Sequence, residues 1–262
     1  MTTIANSPVA APADVVPIRP FSELSLADVP YAGGKGANLG RLTRAGMPVP
    51  PGFVVGAPAY AAFRLQTGLG ARLQAVLGNV DVEDTAALQA AAEAAREAVW
   101  ASEMPSWLAD AIAAAYAQLC HGERDAPVAV RSSATAEDTA SASFAGMNET
   151  FLNVRGRDAV IDAVKRCWQS LFGARTVYYR AQRGFSQSEM DIAVVVQRQI
   201  PATRAGVMFT ADPATGDRNH LVIEGSFGLG EAVVSGQVSP DRYVVEKWDM
   251  SVLVRSVRPK EL

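Results

Sequence analysis

Cysteine and histidine are nearly absent from this 262-residue chain, with two of each. Cys120 and Cys167 are too few for a disulfide scaffold, and neither belongs to a CxxC pair. Cys167 falls in an amphipathic helical pattern and reads as a small core residue. His121 and His220 alone exclude a multi-histidine metal site. Long apolar runs are missing too. No stretch reaches the roughly 18 uncharged apolar residues of a membrane span, and the Ala-rich segment from Ala86 to Val99 is broken by Glu93, Arg96 and Glu97. The N-terminus has neither a basic nor an apolar signal region. Its four prolines within twenty residues mark 1–19 as a flexible leader. A basic excess is also lacking: the formal net charge is -3, which disfavours a nucleic-acid module. A reducing, cytoplasmic setting fits. Lysine is scarce, only Lys35, Lys165, Lys247 and Lys260 among 24 basic residues. An isolated Lys35 in an arginine-preferring chain hints at a task for a compact ammonium.

What is present is a packed, soluble composition, 49% hydrophobic and 19% charged. The spacing predicts a helix after the Gly33–Gly34 turn, with Leu39 and Leu42 on one face and Gly46 as its stop. PVPPGFVV reads as an extended lead into a strand. Helices are expected over 59–77, from an Asp81 or Asp84 cap to about Trp100, and over 109–119. From Pro127 the texture changes. APVAVRSS predicts a strand ending at Arg131, followed by a loop of small residues, the strand ETFLNV and a helix over 156–172. DIAVVVQRQI predicts a strand buried on both faces. Beyond it lie two strands joined by DPATGD and further β-rich sequence, with no fixed repeat. The fold class is α+β, divided into 1–19, a mixed part over 20–188 and a β-rich lobe over 189–262.

Five places could carry chemistry. In GGKG, glycines and helix-start amides suit a phosphate and Lys35 adds a mobile charge, although for this segment taken alone a Gly turn with a solvated lysine is the favoured reading. Arg131 runs into SSATAED, where a guanidinium can clamp phosphate oxygens and Ser132, Ser133 and Thr135 can donate hydroxyls. The alternative is that Arg131 braces the turn through Glu137 or Asp138. Ser143 to Gly146 suit a glycine flap over a ligand, with Thr150 aiming a hydroxyl back at it. Gln197, at the end of an apolar strand, can read a purine edge. EGSFGLGEAVVSG offers Glu224 and Glu231 as possible Mg²⁺ carboxylates, with glycines read as bends. Together, a lysine, an arginine, small hydroxyls, a glycine flap and an amide are what a nucleoside triphosphate needs.

GGKGANLGRLTRAGMPVPPGFVV, VAVRSSATAEDTASASFAGMNETFLNV, GVMFTADPATG and SFGLGEAVVSGQVSPDRYVV occur in that order. This series resembles the N-terminal ATP-binding domain of phosphoenolpyruvate synthase and pyruvate phosphate dikinase, also found in rifampin phosphotransferases. The resemblance covers roughly residues 20–250. It implies an ATP-grasp-like fold of two lobes, with ATP and Mg²⁺ as cofactors. Lys35 and Arg131 would hold the phosphates as catalytic groups, Gly146 would lie in the flap, and Thr150 and Gln197 would line the nucleotide site. The family's acidic metal ligands, phosphohistidine domain and PEP/pyruvate barrel have no counterpart here, so the C-terminal lobe is expected to be incomplete and those domains to act in the full enzyme or in trans. The implied activity is transfer of the β-phosphoryl of ATP to a histidine and on to pyruvate. A rifampin-type phosphotransferase, a non-catalytic nucleotide-binding remnant and a scaffold without a nucleotide site are the alternatives. An interrupted lobe also predicts open edge strands with exposed apolar surface.

Overall fold

The computed structural model describes residues 10–135, 149–184 and 190–259. Two compact units divide the chain, one ending at Gln199 and the other beginning at Ile200.

The first unit is built on an antiparallel sheet with the strand order β1 (Ile18–Pro20), β2 (Gly52–Val55), β5 (Ile192–Arg198), β3 (Val128–Ala134) and β4 (Thr150–Val154). Alternation along the central strands sorts its two faces. Val54, Ala193 and Val195 pack with Phe21, Leu24 and Ala32 beneath α1 (Val29–Arg44). Phe53, Val55, Val128, Val130, Val194 and Val196 belong to the larger core on the other face. That core is roofed by α2 (Ala57–Gln66), α3 (Leu69–Leu77), α4 (Thr85–Ala101), α5 (Ser106–Cys120), α6 (Arg157–Gln169) and α7 (Ala174–Gln182). The apolar run of β5 is thus covered on both sides, as its sequence predicts.

Asp84 starts the Ala-rich α4 by accepting the amides of Ala86 (2.9 Å) and Ala87 (3.1 Å). Leu88, Ala91, Ala92, Ala95 and Val99 form its buried stripe at helical spacing. The rings of Tyr60, Phe63 and Trp168 meet in the middle of the core, with Phe63 and Trp168 centroids 4.7 Å apart.

Several expectations change. The helix predicted over 59–77 is two helices, because Gly68 adopts a left-handed φ of 65° between them. The helix predicted over 156–172 ends at Gln169 and closes in a single 3-10 turn. Strand β3 does not end at Arg131 but runs to Ala134, because its pairing with β5 continues to Ala134 opposite Ile192.

The second unit is an antiparallel meander of β6 (Arg204–Phe209), β7 (His220–Phe227), β8 (Asp241–Glu246) and β9 (Val252–Ser256). The turn DPATGD joins β6 to β7, and Asp212 accepts the Ala214 amide at 2.8 Å. Of the glycines of GLGEAVVSG, read as bends, Gly228 bends at φ 78° and Gly236 turns at φ 71°, whereas Gly230 opens a short helix, α8 (Gly230–Val234). Val252, Leu253 and Val254 on β9 are each about half exposed, at 56, 53 and 47%.

Candidate nucleotide site

Gly33 interrupts α1 with φ 66° and ψ 173°, so the helix restarts at Gly34 with a fresh N-terminus. The sequence places a turn at Gly33–Gly34, but a helical stretch already begins at Val29. No other residue type fits Gly33, since a Cβ there would overlap the hydroxyl and carbonyl of Ser133. Ser133 reaches from β3 and clamps the restart: its Oγ donates to Ala32 O at 2.9 Å and accepts the Gly36 amide at 3.3 Å. Lys35 lies between those two anchors and is half-buried. The helix is held close to its neighbours further along as well, where a Cβ on Gly40 would stand 2.5 Å from that of Leu24.

Strand parity then gathers the other candidates. Ser133 faces α1, so Arg131, two residues earlier, faces it too. Thr150 stands directly opposite Arg131 in the β3–β4 ladder and shares its face. Arg131 also pairs with Val195, which packs under α1, and Gln197 follows two residues on along the same face. Lys35, Arg131, Thr150 and Gln197 are therefore brought to one side of one sheet. Gly146, the expected flap residue, lies outside the described residues, as do Glu137 and Asp138, the bracing partners weighed for Arg131.

The polar groups at this face are used unevenly. Arg131 Nε is buried and has no hydrogen-bond partner among the described residues. A buried guanidinium nitrogen left without an acceptor is costly, and an anionic oxygen would satisfy it. Gln197 donates its amide to Pro50 O at 3.0 Å, which fixes the side chain and leaves its carbonyl to act as the acceptor. The small hydroxyls expected to bind ligand are committed elsewhere. Ser133 clamps α1, Thr135 donates to Asp191 O at 3.2 Å, and Ser132 accepts the Glu149 amide at 3.0 Å. Each of these hydroxyls pairs backbone, and of the three Ser133 is the one that holds α1. The Gly33–Ser133 clamp itself was missed: the two residues are 100 positions apart, and only the doubled glycine before Lys35 signalled a tight contact.

Anchoring of α1 comes from its start. Arg19 Nη1 donates to Asp28 Oδ1 at 2.7 Å, while the other Asp28 oxygen caps Ser25 at 2.8 Å. The Arg19 hydrogen bond, followed by those of Ser25, holds the Asp28 carboxyl below its usual 3.8. Burial pushes the Tyr31 phenol up, away from ionisation.

No group of three or more metal-ligating side chains occurs among the described residues. Glu224, one of the carboxylates considered for Mg²⁺, instead faces Arg242 at 4.0 Å. The residues present therefore fit a polyanion and define no ligand set for Mg²⁺. No described helix is long and apolar enough to cross a membrane.

Comparison with known proteins adds a family. Residues 29–262 match the pyruvate phosphate dikinase, AMP/ATP-binding domain family. The chain is 49% identical over 98% of its length to a probable phosphoenolpyruvate synthase of Methanothermobacter thermautotrophicus, and covers 38% of that relative. It is 48% identical to a probable phosphoenolpyruvate synthase of Methanocaldococcus jannaschii, with 92% of this chain and 20% of the relative aligned. To the phosphoenolpyruvate synthase of Pyrococcus furiosus it is 44% identical, with 94% and 34% aligned. The chain thus spans between a fifth and two fifths of the length of these relatives.

Proposed function

The chain belongs to the pyruvate phosphate dikinase AMP/ATP-binding domain family, and from that premise we propose that it is the ATP-binding module of a phosphoenolpyruvate synthase-like phosphotransferase. The observation that carries the reading is the buried Nε of Arg131, without a hydrogen-bond partner among the described residues, on the sheet face that also bears Thr150 and Gln197 and that α1, with Lys35, covers. Arg131 and Lys35 hold the phosphate chain, the first as a planar fork and the second as a point charge. The amides at the restart of α1 add partial positive charge on the same side. Thr150 contributes a hydroxyl, and Gln197 presents its carbonyl oxygen to an amino group of adenine.

The work of these residues is positioning and charge neutralisation. By fixing the phosphate chain between two cations, they lower the cost of the charge that builds as the β,γ-pyrophosphoryl group passes to a histidine with AMP released; water then removes the γ-phosphoryl as inorganic phosphate, and the β-phosphoryl left on the histidine passes to pyruvate as the final acceptor. The histidine and the pyruvate site belong to the phosphohistidine and PEP/pyruvate domains of the longer enzyme. Residues 20–188 and 189–262 are read as contributors to two ATP-grasp-like lobes in a cytoplasmic enzyme, with residues 1–19 as a leader. Mg²⁺ accompanies the nucleotide, and no protein ligand is assigned to it.

Calorimetric titration of the chain with ATP tests the binding step. Saturable binding that Arg131→Gln weakens is expected, and a flat titration overturns the reading. AMP formation on adding a phosphohistidine domain in trans tests the transfer step. Binding without AMP would leave a nucleotide-binding protein and remove the phosphotransferase.

A further inference from the structure

The other face of β4 borders a separate cavity of about 540 Å³. Phe151, opposite Val130, points to this face, whereas its neighbour Thr150 points to the nucleotide face. Three arginines line the cavity from three helices: Arg96 on α4, Arg166 on α6 and Arg175 on α7. They are separated by up to 79 positions in the chain, so no sequence motif announces them.

The charge is lopsided. Among the described residues, Glu149 is the only carboxylate on the lining, against three guanidinia. Among the described residues, none of the three arginines has a carboxylate within ion-pair distance, although arginines elsewhere in the unit find Asp28, Asp191, Asp110 and Glu123. Arg166 lies 5.9 Å from the centroids of both Trp100 and Phe151, which orients its plane without neutralising it. A chain with net charge -3 has carboxylates to spare, so leaving this cluster unpaired is a local property.

A fourth arginine, outside the lining, lies further along α7. Thr176 lines the cavity, and Arg180 follows one turn along α7. Arg180 is fully buried, its Nε, Nη1 and Nη2 have no hydrogen-bond partner among the described residues, and its guanidinium rests over Phe172. Helix α7 also begins at this cavity, with Gly173 offering its amides no side-chain cap.

We propose that this cavity is an anion site, distinct from the candidate nucleotide site, that takes the phosphoryl group of a small phosphorylated molecule. A carboxylate is satisfied by a single guanidinium fork. Three forks and free helix-start amides suit the several oxygens of a tetrahedral dianion, and the volume leaves room for more than a bare ion. β4 separates the two sites, carrying Thr150 on one side and Phe151 on the other.

Inorganic phosphate and pyrophosphate, titrated calorimetrically into the full chain with ionic strength held constant by NaCl, are the probes. Saturable binding is expected in the wild type and in Arg131→Gln, which has lost its nucleotide contact. The double variant Arg96→Gln/Arg175→Gln alters only exposed side chains and should bind at least tenfold more weakly while keeping the wild-type thermal unfolding midpoint. In the wild type, phosphate should also shield Arg96, Arg166 and Arg175 from phenylglyoxal, read by peptide mass spectrometry. The proposal is overturned by absent binding, by equal binding in the double variant, by loss of binding in Arg131→Gln alone, or by unshielded arginines. Malonate binding as tightly as phosphate would overturn the phosphoryl assignment. None of these outcomes depends on whether ATP binds, so the two readings fail separately.

Discussion

At the scale of single residues, the candidate site depends on close contact more than on charge. Gly33 combines a left-handed φ with direct contact to Ser133. Gly33→Ala is therefore expected to destabilise the chain by more than about 1 kcal/mol from backbone strain alone, with the steric clash in addition, as read by urea unfolding. Ser133→Ala should weaken ATP binding through α1 although Ser133 touches no phosphate, since it leaves Ala32 O and the Gly36 amide unpaired. Burial lowers the pKa of Arg180 to about 10. Composition singles out Lys35 as an isolated lysine, and the structure places it on α1 just after the Gly33 interruption. Composition has no means of showing that Ser132, Ser133 and Thr135 would bond backbone, because hydroxyl partners depend on which strand lies next to which.

At the scale of elements, α1 and the core helices respond to different perturbations. Asp28 ties α1 to Arg19 and has a pKa lowered in the folded state. Its contribution is fully present above the ordinary value near 3.8 and is lost as pH falls through the lowered one. Thermal unfolding midpoints should thus drop on acidification below about pH 4, and Asp28→Asn should flatten that drop. Trp168 is fully buried against Phe63 and Tyr60. Trp168→Ala should cost about 3–5 kcal/mol in chemical denaturation. Periodicity made α4, α6 and β5 legible, because each buries a stripe or a continuous apolar run set by its own sequence. The ends of elements were less legible. Gly68 splits a helical pattern that Leu69, Leu73 and Leu77 continue in phase, and β3 outruns Arg131 because β5 supplies partners for three more residues.

At the scale of the whole chain, two units with different cores follow from composition along the sequence. The first buries large apolar side chains on both faces of its sheet, whereas the second has few, Val222, Val244 and Val245 among them. In the second unit β9 pairs with β8 and forms a sheet edge bearing half-exposed Val252, Leu253 and Val254. Such edges pair with other edges. Sedimentation velocity is expected to show concentration-dependent self-association that Leu253→Lys reduces. The family resemblance was legible because its motifs occur in unbroken order across the chain. The arginine cavity was not, because it forms only when three separate helices close over β4. The central claim is that Lys35 and Arg131 grip one triphosphate. Its most direct test is calorimetry of ATP and of adenosine against the wild type, Lys35→Ala, Arg131→Gln and the double variant. A charge-assisted contact is worth about 1.5–3 kcal/mol, so each single change should weaken ATP roughly tenfold to a hundredfold and leave adenosine unaffected. ATP affinity unchanged by either substitution, or adenosine weakened as much as ATP, would contradict the account.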